Sequence, residues 1–338
     1  MDLQILWFFI IGFFFVGYFV LDGFDFGVGM SLPFLGRDDV DRRVLINTIG
    51  PVWDGNETWL IVAGATLFAA FPEWYASMFS GFYLALLVIL LALIIRGVSF
   101  EYRHQGRSAR WTNWFDLMIV VGSALPSFLW GVAFANLAEG VPLDAGHIFR
   151  GDLGTLLNPY GILGGLTTLL LFFTHGALFI ALKTDGGVRY RARKLASRGG
   201  LVALVVAAVF LVWTVLSHLD SPHAALTVGI AAVAAVALVV VLLSNARGRE
   251  GTAFVAMMVT IAASVGTILS AMFPYVMRST IDIAYSLTIS NASSSPHTLT
   301  LMTWMVAFAI PLILVYQGFT YWVFRKRVTR EHIPVGAH

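Results

Sequence analysis

The stretch Ile5-Leu6-Trp7-Phe8-Phe9-Ile10-Ile11-Gly12-Phe13-Phe14-Phe15-Val16-Gly17-Tyr18-Phe19-Val20-Leu21 carries no charge and runs directly into Asp22-Gly23-Phe24-Asp25. An apolar run of about 20 residues is what crosses a hydrocarbon core roughly 30 Å thick. Lipid offers no partners to backbone N–H and C=O groups, so such a run must be helical. No basic segment precedes it and no small-residue cleavage site follows, so it reads as a retained helix rather than a signal peptide. Its acidic end is the informative part. A carboxylate at the bilayer centre costs roughly 2.5 kcal/mol or more, so acids on a span face a protein interior or water.

The rest of the chain repeats the pattern. Of 338 residues, 58% are hydrophobic and only 12% charged, and the mean hydropathy is +0.82. Nine apolar runs are long enough to span: 5–21, 52–71, 75–95, 114–135, 160–182, 200–216, 224–243, 253–275 and 303–324. The expected fold is all-α, a polytopic membrane protein with nine transmembrane helices forming a single membrane domain over 1–338. No soluble domain fits between the spans; the longest connections are 31–51, 136–159 and 276–302.

Charge sets the orientation. All but two of the 21 Lys and Arg residues follow helices one, three, five, seven and nine, at Arg37, Arg42 and Arg43, at Arg96, Arg103, Arg107 and Arg110, at 183–198, at Arg247 and Arg249, and at 325–330. Only Arg150 and Arg278 fall on the other side. The positive-inside rule then puts the N-terminus outside and the C-terminus in the cytoplasm. Topology accounts for the basic loops, and no nucleic-acid partner is needed. With no cysteine, the chain makes no disulfide, thiolate metal site or Fe–S centre. The basic connector 183–198 separates helices one to five from six to nine, and helices six and seven read as lipid-facing scaffold. Gly64, Gly81, Gly164 and Gly165 would let helices approach closely.

Two acidic motifs carry the chemistry. In Asp22-Gly23-Phe24-Asp25-Phe26-Gly27-Val28-Gly29 the acids are three residues apart, on one side of a helix. The glycines suggest that the helix breaks here, near the cytoplasmic face. Acids at a helix C-terminus oppose the macrodipole, so Arg37, Arg42 or Arg43 is expected to compensate them. In Gly50-Pro51-Val52-Trp53-Asp54-Gly55-Asn56-Glu57-Thr58-Trp59, Asp54 fits a helix N-cap. It also fits a proton-handling role, because carboxylates in partly dry sites exchange protons nearer neutral pH. Asp54 and Asp25 lie at the inner ends of consecutive helices and are expected to be neighbours, with Asp22 and Glu57 as secondary members. Of eight His, only His175 falls well inside a span; a lone His there more often bonds across helices than ligates haem. The aromatics read mostly as interface belts and packing. Trp59 is the one placed beside the acids and deeper in its helix.

These motifs resemble subunit II of cytochrome bd-type quinol oxidases. The likeness rests on 22–30, on Arg42-Arg43-Val44-Leu45-Ile46-Asn47-Thr48-Ile49-Gly50-Pro51-Val52-Trp53-Asp54-Gly55-Asn56, and on Ala69-Ala70-Phe71-Pro72 and Phe79-Ser80-Gly81-Phe82-Tyr83. It continues through Trp130-Gly131-Val132-Ala133-Phe134-Ala135-Asn136, Leu157-Asn158-Pro159, Ala271-Met272-Phe273-Pro274-Tyr275 and Leu301-Met302-Thr303-Trp304. The segment 183–252 is generic apolar sequence, the link 217–223 is shorter than in some members, and Glu57 stands where some members carry a neutral residue.

The resemblance implies a heterodimer in the bacterial cytoplasmic membrane with a subunit I that holds the b-type haems and haem d. The complex would oxidise quinol outside and reduce O2 to water with cytoplasmic protons. Subunit II would bind no haem; small accessory subunits and a structural quinone occur in relatives. It further implies a proton path through Asp25 and Asp54 and an oxygen channel opening at Trp59. Two other classes compete. An ion-coupled secondary transporter would place its carboxylates at broken helices near the midplane, and a purely structural scaffold would tolerate neutral substitutes for the acids.

Overall fold

The computed structural model describes residues 2–106 and 108–333. Arg107, counted above among the basic loop residues, lies outside the described residues. The first helix, α1 (Leu3–Leu35), starts at an N-cap Asp2 whose carboxylate accepts from Gln4 N–H. At about 1.5 Å per residue it is roughly 50 Å long. It does not break at its glycines, as the sequence suggested, and every residue from 22 to 32 is buried. The reason is tertiary. A Cβ on Gly27 would lie 1.9 Å from the Phe172 carbonyl oxygen, and one on Gly176 would lie 2.1 Å from Gly27. The glycines are there to let two helices cross in backbone contact.

The segment expected to be a loop at 31–51 contains α2 (Asp39–Ile49), capped by Asp38. Next come α3 (Trp53–Ala70), α4 (Pro72–Gly81) and α5 (Tyr83–Tyr102). The expected span 75–95 is therefore two helices, broken at Phe82 (φ −97°, ψ 18°). Pro72 suits the first position of α4, where no N–H is needed. Phe82 is fully buried, with its ring 6.1 Å from that of Phe149, so packing decides the break.

The remaining helices are α6 (Ala109–Glu139), the one-turn α7 (Leu153–Leu156), α8 (Pro159–Lys183), α9 (Gly186–Ser217), α10 (Ala224–Ala246), α11 (Glu250–Met272) and α12 (Pro296–Val323). The basic segment 183–198 is mostly the first turns of α9 and not a linker. Among the described residues, eight helices are long and apolar enough to cross a membrane: α1, α5, α6 and α8 to α12. The second expected span corresponds to α3, which carries Asp54 and Glu57 and is not among the eight. Of the proposed contact glycines, Gly164 and Gly165 do abut α6, and Gly81 abuts Phe149. Gly64 differs, since nothing lies within 4 Å of it.

α1 runs through the centre of the bundle, against α3, α6, α8 and α11, with Trp7, Tyr18, Phe24 and Phe26 fully buried. Aromatic rings knit it to its neighbours, as in Phe19–Phe134 at 5.0 Å and Phe24–Phe179 at 4.1 Å. α12 is the opposite case. Only 6% of its apolar stretch is buried, against 61% for α6 and 67% for α8. A two-stranded antiparallel ribbon, β1 (Tyr275–Met277) and β2 (Leu287–Thr288), closes the end of α11, and Val141 bridges to Ser279 beside it.

The opposite end is tied by ion pairs. Asp41 is buried and meets Arg191 and Arg330, each at 2.6 Å. Glu250 meets Arg189 at 2.7 Å and Arg327 at 3.3 Å. Lys183 donates to the carbonyl oxygens of Phe324 and Lys326. The basic residues that set topology by count thus also fasten the segment after α12 across α2, α9 and α11.

Candidate functional site

The fold brings the polar end of the apolar α1 against α3 and α5. Asp22 and Asp25, one turn apart on α1, are completely buried, as are Arg96 of α5 and Asn56 of α3. Arg96 Nη2 donates to Asp22 Oδ1 at 2.9 Å. Its Nη1 lies 3.3 Å from Glu57 Oε1, an ion pair without hydrogen-bond alignment. The guanidinium also sits 4.3 Å from the centroid of Phe26, a cation–π contact that helps hold a charge away from water. Asn56 Nδ2 donates to Asp25 Oδ2 at 2.7 Å. Asp22 Oδ2, Asp25 Oδ1 and Tyr18 Oη are buried and have no hydrogen-bond partner among the described residues.

Two carboxylates therefore pair with one guanidinium, and a third, Asp25, lies one helical turn from Asp22. Arg keeps its proton in proteins, so it is the fixed charge and the carboxylates are the exchangeable positions. A buried ion pair is stable as a pair, but removing one member typically costs about 3–5 kcal/mol. The arrangement can fix one carboxylate as an anion and leaves the others as places where a proton restores neutrality.

The candidate residues separate into two depths. Asp22 and Asp25 belong to the buried cluster and Glu57 is half-buried beside it. Asp54 is exposed, three residues before Glu57 and hence on the same side of α3. It is not the N-cap that the sequence suggested: that position is Val52, and no side chain caps α3. Asp25 makes its cross-helix hydrogen bond to Asn56, and no contact joins it to Asp54 among the interactions seen. Of the cations expected to compensate these acids, Arg42 is engaged elsewhere, and the cation that meets Asp22 comes from α5. Arg42 pairs with Asp116 at 2.9 Å, and Arg96 serves Asp22.

Arg96 and Asn56 are what the sequence reading missed. Arg96 was counted with the basic loop that follows helix three. Its place between the apolar run 75–95 and the uncharged Gly97-Val98-Ser99-Phe100 was the available signal, because an intramembrane Arg is costly and needs a partner. Gln317, buried on α12, carried the same kind of signal.

Trp59 packs as a core residue. A Cβ on Gly17 would meet its ring at 2.1 Å, and the ring lies 5.7 Å from Phe13 and 6.1 Å from Phe14. An apolar cavity of about 540 Å³ opens farther along α3, lined by Leu60, Gly64 and Phe68, by Tyr75 of α4 and by Trp130 of α6. His175 makes the cross-helix contact that the sequence favoured for a lone intramembrane His. Its Nε2 bonds to the Val20 carbonyl oxygen at 3.1 Å, and its face stacks on Phe254 at 4.6 Å. Among the described residues no group of His, Asp and Glu is placed to hold a metal ion.

Fold and site together define a multi-pass helical membrane protein with a buried acidic cluster centred on one arginine. Residues 3–324 match the family described as cytochrome bd terminal oxidase subunit II, and the chain belongs to that family. It is 39% identical over 331 residues to cytochrome bd ubiquinol oxidase subunit 2 of Bacillus subtilis (strain 168), covering 98% of both chains. It is 37% identical over 370 residues to cytochrome bd-I ubiquinol oxidase subunit 2 of Escherichia coli (strain K12), covering 99% of this chain and 98% of that one. A chain of the bd oxidase from Geobacillus thermodenitrificans shares the fold, with a TM-score of 0.76 at 19% identity, over 96% of this chain and 99% of that chain. The family is one of subunits of a respiratory quinol oxidase, an oxidoreductase complex, and membership implies a subunit 1 partner and a membrane setting.

Proposed function

We propose that this chain is the haem-free subunit of an electrogenic quinol:O2 oxidoreductase in the bacterial cytoplasmic membrane. It stabilises the haem-bearing subunit I and admits cytoplasmic protons toward the site where O2 is reduced. Haem b and haem d belong to the partner, and quinol is the substrate of the complex. The observation that carries this reading is the buried Asp22–Arg96–Glu57 cluster with Asp25 beside it, reached from exposed Asp54.

In this reading α3 is the ninth span. Its 18 residues cover about 27 Å at 1.5 Å each, and its two acids lower its apolarity because one joins the cluster and the other lies at its mouth. The N-terminus is outside and the C-terminus cytoplasmic, as the basic ends of α5, α8 and α12 favour. A proton enters at Asp54, passes Glu57 and reaches Asp25. Arg96 holds Asp22 as its permanent counter-ion and so leaves proton exchange to the other carboxylates. The sparsely buried face of α12 is the surface on which subunit I packs, since a span that is so little buried within its own chain needs a neighbour or lipid. Access of O2 at Trp59 is a further element of this reading, carried by the family resemblance.

Co-expression with subunit I tests it. The pair is expected to co-purify with haem b and haem d absorption and quinol oxidase activity, while the isolated chain is haem-free. Stoichiometric haem on the isolated folded chain, or wild-type turnover by an assembled Asp25→Asn/Asp54→Asn complex, would overturn it.

A further inference from the structure

Asn56 is a completely buried amide with every hydrogen-bonding position used. Nδ2 donates to Asp25 Oδ2 at 2.7 Å and to the Leu21 carbonyl oxygen at 3.3 Å. Oδ1 accepts from Gln317 Nε2 at 2.9 Å and from Tyr321 Oη at 2.8 Å. Chemistry fixes its orientation: a carbonyl can only accept, so the amine end must face Leu21 and Asp25. Three helices thus meet on one side chain, with α1 on its donor side and α12 on its acceptor side.

α12 makes the arrangement informative. Leu299 and Gln317 are its only buried residues among those described, and Gln317 is the polar one. A helix so little buried in its own chain nonetheless sends two donors, Gln317 and Tyr321, to a single buried acceptor. An unpaired amide there would cost more than it would in water, because the surroundings are dry. The amide neither gains nor loses a proton near neutral pH, so its contribution is geometric.

We propose that Asn56 is the positioning residue for Asp25, fixing the carboxylate through Oδ2 so that Oδ1 stays open to the exchanging proton, and that Gln317 and Tyr321 tie that position to α12. The proposal rests on the proton-path reading above. It adds that Asp25 is held from the least buried of the eight long apolar helices among the described residues, so a displacement of α12 moves the carboxylate.

A double-mutant cycle in the assembled two-subunit complex tests it, with turnover per haem d and its pH profile as readouts. Asn56→Ser removes both ends of the amide and is expected to slow turnover about tenfold, the effect of losing one charge-assisted hydrogen bond. It should also shift the pH profile. In an Asp25→Asn background the same change should have no further effect on either readout, because Asn56 acts only through Asp25. Equal slowing in both backgrounds would make Asn56 merely structural and overturn the proposal. So would normal turnover of Asn56→Ser when Asp25→Asn is slow. Normal turnover of Asp25→Asn itself is a different result: it removes the proton-path reading, and the proposal falls with it. If Asn56→Ser does not assemble, Tyr321→Phe decides by the same cycle. It keeps the ring and loses one donor, and a smaller slowing is expected, present with Asp25 and absent without it.

Discussion

Arg96 Nη2 donates to Asp22 Oδ1 at 2.9 Å between side chains that are both fully buried, on helices whose partners lie 74 residues apart in sequence. One guanidinium serves two carboxylates and covers the face of Phe26, so the acidic end of α1 can sit inside the bundle. The pair makes the rest of the site possible. Without a fixed cation nearby, three acids on two adjacent helices would repel one another in a medium that screens poorly.

Replacing Arg96 by Met is accordingly expected to cost about 3–5 kcal/mol, the usual loss when one member of a buried pair is removed. The measurement is the thermal aggregation midpoint of the detergent-solubilised complex, together with its yield. Arg96→Lys should recover only part of the loss, because an ammonium lacks the planar fork that meets Asp22 and Glu57 together. A wild-type midpoint for Arg96→Met would contradict the central place given to this pair.

The two depths of the acids predict an order. Asp25→Asn removes the last exchangeable site of the proposed path, and turnover of assembled enzyme should fall at least about tenfold, roughly 1.4 kcal/mol in the barrier. Asp54→Asn should fall less, since water can reach Glu57 past an exposed residue. Oxygen consumption normalised to haem d reads both. A larger loss at Asp54 than at Asp25 would reverse the assigned order of the path.

For oxygen access, Trp59 and Gly64 make a matched pair. Trp59→Ala empties a packed site against Gly17 and is expected to cost about 3–5 kcal/mol of stability. If the ring borders the channel, the same variant should also change the apparent KM for O2 at constant quinol turnover. Gly64→Leu adds a side chain where nothing lies within 4 Å, and should leave stability nearly unchanged while narrowing the cavity. A raised KM for O2 in Gly64→Leu with no change in Trp59→Ala would move the entrance from Trp59 to the cavity.

The fastening of the segment after α12 has a pH signature. The Asp41 N–H and the Arg330 guanidinium hold the Asp38 carboxyl below the usual carboxylate range. A carboxylate depressed in the folded state contributes above its unfolded pKa of about 3.9, and that contribution is lost as pH falls through the lower, folded value. The protection of the 327–333 amides, taken relative to the intrinsic exchange rate at each pH, should therefore fall only below about pH 4 and remain flat between about pH 5 and 8. Asp38→Asn should bring the lower protection to neutral pH. A fall in protection already between pH 7 and 5 would assign the fastening to other groups.

The sequence by itself determined the class of the molecule and the identity of most of the acids. Long apolar runs can only be helices in lipid, and their composition is a local property, so eight of the nine expected spans recur as helices that are long and apolar enough to cross. Asp22 and Asp25 stood out because a charge within such a run has a cost that is also read locally. Tertiary structure decided everything that depends on a partner. α1 continues through Gly23 and Gly27 because α8 supplies the contact that makes glycine favourable there. Arg96 turned from a loop cation into the centre of the site because Asp22 lies against it. Asn56, an ordinary amide in sequence, became the junction of α1, α3 and α12 only when Leu21, Asp25, Gln317 and Tyr321 were brought around it. Asp54 went the other way, to the exposed rim, since helix phase alone could not say which face of α3 the bundle would cover. Apolarity is written residue by residue, whereas the partner of a buried charge is chosen by packing between distant segments.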